Sequence, residues 1–517
     1  MQRVGRSTMV QTGLRAGRSF GLLLLLTIAL HAAAFSVDVF NPDETFLGTQ
    51  ARVLQDGGSL YEDTADRKAP IVPFLYTGTF AVTGDDSLAG PRVLAMLALA
   101  LTALLILIEA RARWGARAGW FAGMLCVFVA TAFLPGDGQA ANFELFMLPA
   151  TVAAVALARR AKWIPSGVAT AFAVLVKQTG GTMLLPVAYL AMRARTRRPV
   201  ALVAAGFAGP ILAAAVLIGF DDYLRWNVFG NGGFAEPPPI GQAVQTFFEQ
   251  WGIWAGLGAP VVLMLAVAWR DRRRGLAEPD RTGHDPDGDL WLWFLSAVLS
   301  VAVGWRFYGH YFLQLAPVSA LLVTGAVARR SERVRTLVLA STGAIAFGCA
   351  IAAFIADPAD IIRPAVTEDV AEAVRAHSRP SDRLFIWGLA PEVYWSADRQ
   401  PATRFVTTLS FLAGVQPTRD DAHAFPEHAN EENWSDFRAD FDAHPPRLLL
   451  DTSPADLKDA GRAPMRRYPS LRARVEEDYC FLLEVRGMHL YERREGEASP
   501  ATGSNGPGGP LTAACDS

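Results

Sequence analysis

The sequence predicts an α-helical polytopic membrane protein with a C-terminal soluble α/β domain. Three observations predict it. Of the 517 residues, 51% are hydrophobic and the mean hydropathy is +0.22, too apolar for a soluble enzyme of this length. Several windows approach the ~20 apolar residues that cross a bilayer. After Ala356 the composition turns polar and strand-like runs appear.

The apolar stretches fall near Phe20–Val37, Pro91–Ile108, Trp120–Pro135, Leu145–Ala158, Val200–Phe220, Trp251–Trp269, Leu290–Trp305, Tyr311–Ala328 and Leu337–Ala356. The first follows Arg3, Arg6, Arg15 and Arg18. A secretory signal peptide looks similar, but the many later segments favour a retained helix. Trp163–Met192 is longer and interrupted, and its length alone leaves it ambiguous.

Charge resolves that segment. Basic clusters sit at Arg111/Arg113/Arg117, Arg159/Arg160/Lys162, Arg193–Arg198, Arg270–Arg274 and Arg329–Arg335. Basic loops stay in the cytoplasm. All five clusters do so only if Trp163–Met192 enters and returns, as two short helices meeting near Lys177-Gln178-Thr179-Gly180-Gly181. The count is then about 11 spans, with the N-terminus cytoplasmic and the C-terminal domain extracytoplasmic. The expected location is the cytoplasmic (inner) membrane.

Domain organisation follows. Residues 1–356 form the membrane domain, with a long acidic outward loop over 38–90 that carries a short apolar piece, Ile71–Val82. The shorter outward loops are Gly136–Glu144, Asp221–Gln250 and Arg306–His310. Arg270–Asp289 reads as a polar linker. Residues 357–494 form the α/β domain: a helix over Thr367–Ser378, strands at Arg383–Trp387 and Arg447–Asp451, and a hairpin within Val475–Arg493 turning at Arg486-Gly487. The Gly/Pro/Ser-rich stretch 495–517 predicts a disordered tail.

Composition excludes some classes. The net charge of -2 gives no footprint for nucleic acid. The four cysteines, Cys126, Cys349, Cys480 and Cys515, show no metal spacing and no disulfide framework. Neither a metal nor another cofactor is indicated. Of the 48 Lys and Arg residues, only Lys68, Lys162, Lys177 and Lys458 are lysine.

Polar groups at membrane depth or at its outer surface are the candidate chemistry. Asn41-Pro42-Asp43-Glu44 opens the long loop. It can be a helix start, with Asn41 capping, Pro42 first, Asp43 facing the dipole and Glu44 closing a capping box. It can equally hold a carboxylate general base at the membrane face. Tyr61-Glu62-Asp63-Thr64-Ala65-Asp66-Arg67-Lys68 is plainest as a solvated loop, but its lysine stands out. Glu144 opens a helix after Asn142-Phe143, where an acid also suits the dipole. Lys177 between two apolar helices needs water or an anion. In Arg306-Phe307-Tyr308-Gly309-His310-Tyr311, Arg306 suits interface anchoring as well as binding, and His310 suits a satisfied helix-start histidine as well as binding.

Together, Asp43-Glu44, the Tyr61…Asp66…Lys68 stretch, Lys177 and Gly309-His310-Tyr311-Phe312-Leu313-Gln314 resemble bacterial GT-C membrane glycosyltransferases. The pattern is similar to glycosyltransferase family 39, the protein O-mannosyltransferases, and to the lipid A aminoarabinose transferases. Asp382–Gly388 and Pro401–Phe405 resemble bacterial members in the outer domain. Ala69 stands where many relatives have proline, and Glu144 where many have aspartate. The resemblance implies an inverting transferase in the bilayer, moving a sugar from a polyprenyl-phosphate-sugar donor to a hydroxyl of an envelope glycolipid, glycan or protein. By position, Asp43, Glu44 and Glu144 are the catalytic acids. Lys68 and Lys177 hold the lipid phosphate, with Arg306, His310, Tyr61 and Asp66 lining the substrate site. The rival classes are a lipid or sugar transporter, including a flippase, and a non-catalytic glycolipid-binding membrane protein.

Overall fold

The computed structural model describes residues 2–230, 238–276, 287–355, 364–415, 424–494 and 509–515. The expected domain boundary at Ala356 and the centre of the Arg270–Asp289 linker lie outside the described residues.

Among the described residues, six helices are long and apolar enough to cross a membrane. They are Ala16–Phe35, Ala89–Trp114, Arg198–Ile218, Gly288–Trp305, Gly309–Ala328 and Glu332–Ile355. Other helices are shorter. Ala116–Thr131 has 16 residues, Phe143–Arg159 has 17 and Trp163–Val176 has 14. At 1.5 Å per residue the last is only ~21 Å long, less than a hydrocarbon core of ~30 Å.

The stretch Trp251–Trp269, expected to be one crossing, is broken. Ile240–Leu257 and Ala259–Arg273 meet at 93°. Gly258 forms the joint, and Pro260 lies in the first turn of the second helix. A proline there has no N–H to continue the helix before it and suits the start of a new one.

Trp163–Met192 doubles back. Trp163–Val176 ends at Lys177, whose extended backbone (φ -155°, ψ 133°) stops the helix. A 3₁₀ turn, Gln178–Met183, leads into Leu184–Arg193. Val187 and Ala191 return to cluster with Ala154, Ala158 and Val203, beside Trp163. Two glycines allow Trp163–Val176 to cross Arg198–Ile218 closely. A Cβ on Gly167 would lie 2.2 Å from the Val203 carbonyl oxygen, and one on Gly206 would lie 2.2 Å from that of Ile164. Close backbone approach through small residues is how helices pack where no water drives them together.

The C-terminal domain is built on a four-stranded sheet. The strands are β1 (Leu384–Trp387), β2 (Leu448–Asp451), β3 (Tyr479–Val485) and β4 (Met488–Arg493), in the order β1-β2-β4-β3. β1 and β2 are parallel, whereas β2/β4 and β3/β4 are antiparallel. β1 and β2 are buried along their whole length, which fits continuous apolar runs rather than alternation.

The two parts share a core. Leu60, Tyr61, Ala65 and Trp226 pack with Phe385, Trp387, Phe405 and Leu449. The Pro391–Ala397 helix lies on the Pro42–Gln55 helix, where Trp395 fills the space left by Gly48. Arg52 donates to the Trp395 carbonyl (3.0 Å) and its guanidinium lies 3.8 Å over that ring.

The tail differs from expectation. Residues 495–508 lie outside the described residues, but 509–515 are held against β3. The Phe481 N–H donates to the Ala513 carbonyl and the Phe481 carbonyl accepts the Cys515 N–H (both 2.9 Å), and Cys480 is bonded to Cys515. The sequence spacing hid this pair because the partners come from a hairpin and from a stretch that reads as unstructured. In the purified protein, a thiol reagent should label neither Cys480 nor Cys515 until a reductant is added, and both afterwards. Labelling of either thiol before reduction would exclude the bridge.

Candidate active site

The site begins with a helix start. Asn41 accepts a hydrogen bond from the Asp43 backbone N–H (2.8 Å) and donates to the Gly136 carbonyl (2.7 Å). Pro42 is the first helical residue. The cap is therefore real, and it fixes the backbone of Asp43.

Glu44 does not close the capping box. It turns into the protein interior, fully buried, and pairs with Arg92 (2.8 Å). Its other oxygen accepts the Ala141 backbone N–H (2.8 Å). Arg92 also donates to the carbonyls of Ala34 (2.6 Å), Val37 (3.0 Å) and Asp38 (2.9 Å). Expected among the catalytic acids, Glu44 is here a framework residue: both oxygens are engaged and none of its surface is exposed. Arg92 was not singled out from sequence. Its signal was a buried-helix arginine away from the basic clusters.

Asp43 points the other way and keeps 38% of its side chain accessible. Lys68 Nζ lies 3.9 Å from its carboxylate, 4.7 Å over the Phe143 ring and 5.7 Å over that of Phe46. At 3.9 Å the two attract without a hydrogen bond. Burial pushes the Asp43 carboxyl up, but Lys68, His310, Lys177 and Lys458 together hold it below the usual carboxylate range.

The loop that carries Lys68 is tied down. The Tyr61 hydroxyl donates to the Lys68 carbonyl (2.8 Å) and accepts from Asn227 (2.7 Å). Gln178 donates to Asn227 (2.8 Å) and to the Arg67 carbonyl (2.8 Å). Tyr61 holds a positive φ of 76°. Asp66 accepts the Arg67 N–H (2.7 Å), and burial pushes its carboxyl up. Tyr61 and Asp66 thus shape the loop and support Lys68 from behind.

Lys177 and Glu144 are partners. The ammonium donates to the carboxylate and lies 3.8 Å over the Tyr311 ring. Glu144 is fully buried. The anion that an intramembrane lysine requires is supplied by the protein itself. Glu144 Oε2 has no hydrogen-bond partner among the described residues.

His310 is held by Asp137, which accepts its backbone N–H and its ring Nδ1 (both 3.1 Å). A Cβ on the adjacent Gly309 would lie 2.2 Å from Asp137 Oδ2, so this approach requires glycine. Arg306 sits between Trp305 and Phe307, both at positive φ (57° and 48°). Such residues cost about 1–3 kcal/mol each and cluster at functional sites. Arg306 and Asp137 line a polar cavity of about 370 Å³ with Gln242, Gln245 and Glu249. Asp137 lay unnoticed in the Gly136–Glu144 loop.

Sequence-distant groups therefore meet at the end of the bundle that carries the C-terminal domain. Asp43, Lys68, Lys177/Glu144 and His310/Asp137 form one electrostatic neighbourhood. Arg306 stands at its edge, and Glu44 is outside it.

No protein-family profile matches the chain, and no curated protein matches it by sequence. Solved structures do. ArnT from Cupriavidus metallidurans bound to undecaprenyl phosphate matches at 13% identity and a TM-score of 0.61, over 95% of this chain and 99% of that one. Its apo state matches at 13% identity and 0.63, over 92% and 98%. An apo oligosaccharyltransferase from Archaeoglobus fulgidus matches at 12% identity and 0.50, over 93% and 74%. The chain has the fold of the GT-C membrane glycosyltransferases.

Two stability tests follow from the buried pairs. Arg92→Ala leaves Glu44 buried without its cation, and breaking such a pair costs about 3–5 kcal/mol. Thermal unfolding in detergent should show this loss, with much of it recovered in Arg92→Ala/Glu44→Gln. The double variant being no more stable than Arg92→Ala would show that the pair is not the reason. Lys177→Met should likewise destabilise by about 3–5 kcal/mol, and Lys177→Met/Glu144→Leu should recover most of it. The double variant being no more stable than Lys177→Met would show that this pair is not the reason.

Proposed function

We propose that this chain is an inverting membrane glycosyltransferase that moves a sugar from a polyprenyl-phosphate-sugar to a hydroxyl acceptor on the outer face of the cytoplasmic membrane. The observation that carries this reading is the juxtaposition of Asp43 and Lys68 at 3.9 Å, both reachable from outside the protein. The support for a lipid-phosphate donor is that ArnT, which shares the fold, was solved with undecaprenyl phosphate.

The chemistry fits the two groups. As the acceptor oxygen bonds to the anomeric carbon, its proton passes to the Asp43 carboxylate. The bond from that carbon to the phosphate oxygen breaks on the opposite face, which inverts the centre. The polyprenyl phosphate leaves with growing negative charge, which Lys68 stabilises. Lys68 is the first choice for this role because its pairing with Asp43 is loose and a third of its side chain is accessible (34%). Lys177 is a second cation, shared with Glu144. His310, fixed by Asp137, and Arg306 are further groups that the sugar or the acceptor could use.

The proposed topology keeps about 11 membrane segments, N-terminus inside and C-terminal domain outside, from the basic clusters. The Cys480–Cys515 bridge supports that side, because disulfides persist in oxidising compartments. The acceptor class stays broad: an envelope glycolipid, glycan or protein.

A transporter reading gains one observation. The bend at Gly258 gives the second half of the membrane domain its own interrupted segment, as transporters with broken helices have in each half. The polar groups nevertheless gather at one end of the bundle, under a domain that a transporter has no use for. Counterflow of a lipid-linked sugar into liposomes by the purified chain would support transport instead.

Asp43→Asn tests the transferase directly. Asparagine keeps the size of the side chain but cannot take the proton. Turnover of envelope-extracted lipid-linked sugar, followed as released polyprenyl phosphate, should fall by about 10²–10⁴-fold. Affinity for undecaprenyl phosphate should not weaken. Turnover at the wild-type rate would leave Asp43 a helix-start residue and sink the catalytic assignment.

A further inference from the structure

The end of the bundle opposite the C-terminal domain carries a cavity of its own. It lies between the Ala116–Thr131 and Glu332–Ile355 helices and holds about 690 Å³. The Ala89–Trp114 helix fixes its place. Arg92, near one end of that helix, belongs to the ion pair beside the Asp43 site. Trp114 ends it, roughly 33 Å further along the axis, and the turn at Gly115 leads straight to Arg117. The cavity and the candidate active site are therefore at opposite ends.

Two helical stripes form its walls. Arg117, Phe121 and Phe128 line one side, and Thr336, Gly343 and Phe347 the other. Residues at these spacings share one face of a helix. Each stripe rises about 16 Å, close to one leaflet of a hydrocarbon core ~30 Å thick. Phe128 and Phe347 close the deep end, with ring centroids 6.2 Å apart. The floor is low because Ala340, Gly343 and Ala344 are small. At Gly343 the ring of Phe128 comes so near that a Cβ would meet it at 3.0 Å.

The shallow end is charged. Arg117, Arg335 and Glu332 stand there. Arg335 pairs with Glu332 on its own helix. Arg117 is exposed and forms no ion pair among the described residues. One positive charge is left over. Both helices also begin at this end, so the positive ends of two helix dipoles add to it. Trp120, half-buried beside Arg117, is a residue type that favours the membrane–water interface. The cavity thus has an anion site at the interface and an apolar trough below it. Guanidinium groups hold phosphate oxygens by charge-assisted hydrogen bonds. A peptide in the trough would leave its backbone polar groups without partners, whereas an acyl chain has none to satisfy.

We propose that this groove binds one anionic phospholipid of the leaflet opposite the C-terminal domain. One acyl chain lies between the two stripes, and the phosphate sits between Arg117 and Arg335. The lipid is a fixed component of the fold and not a substrate. It braces the Glu332–Ile355 helix, the last apolar helix before the C-terminal domain. That helix needs bracing, because only 33% of its apolar window is buried inside the protein.

The test uses the full chain, purified in detergent, and two lipids with the same dioleoyl chains. Phosphatidylglycerol carries a net negative charge, and phosphatidylcholine carries none. Native mass spectrometry counts the bound lipid. Wild type should hold one phosphatidylglycerol about 5–30-fold more tightly than phosphatidylcholine, the size expected for one or two arginines at a membrane surface. Arg117→Gln/Arg335→Gln should remove that preference. Ala340→Phe leaves the charges in place but fills the trough, and it should expel phosphatidylglycerol too. Phosphatidylglycerol should raise the melting temperature of wild type and of neither variant. Without added lipid the three should melt together, which guards against misfolding. Equal affinity for the two lipids in wild type, or a preference kept by both variants, would overturn the proposal and leave the groove to bulk lipid. Displacement of phosphatidylglycerol by equimolar undecaprenyl phosphate would overturn it in favour of a prenyl lipid. A wild-type dimer that Ala340→Phe dissociates would overturn it in favour of a second copy of the chain. None of these outcomes bears on sugar transfer, whose groups lie at the other end.

Discussion

The buried pair of Glu44 and Arg92 is the joint on which the site depends. Arg92 reaches carbonyls at the end of the first membrane helix and just beyond it, Glu44 reaches the backbone of Ala141, and their ion pair joins the two. The Tyr76 hydroxyl closes the same knot by donating to the Ala141 carbonyl (2.8 Å). Five segments are thereby fixed at one point. Asp43, one residue before Glu44, takes its direction from that arrangement. An ion pair buried this deeply adds little net stability, because desolvation offsets attraction. Its worth lies in geometry, since any other packing of these segments would leave a charge alone.

The site shows one charge pattern used at two tensions. Glu144 with Lys177 is a close pair in which the acid is buried and the lysine is the more accessible partner. Asp43 with Lys68 is a loose pair with both partners accessible. Close pairs fix geometry, and a loose pair leaves each charge available to a substrate. The same residue types therefore form a closed pair in one place and an open pair in another, separated by distance and by access to solvent.

Much of the fold was legible in the sequence because its signals are local. Apolar runs marked the helices, and the basic clusters required the Trp163–Met192 segment to turn at Lys177, where the structure breaks it. Short apolar runs bounded by polar residues marked β1 and β2. The scarcity of lysine drew notice to Lys68 and Lys177. Pairings were not legible, because they join positions whose separation carries no pattern: 33 residues for Lys177 and Glu144, and 173 for His310 and Asp137. For the same reason Glu44 read as a reactive acid, since a carboxylate next to Asp43 looks the same whether it faces a cavity or an arginine. The bend at Gly258 was hidden by the uniform hydropathy on either side of it.

The mixed core between the two parts has a consequence for how the molecule is made. Trp226, Leu60 and Tyr61 belong to the membrane domain by sequence but to the C-terminal domain by packing. The sheet cannot complete its interior until strands from the last quarter of the chain meet side chains inserted long before. The last strands must therefore be made before either part is whole, and a substitution in one part is felt in the packing of the other.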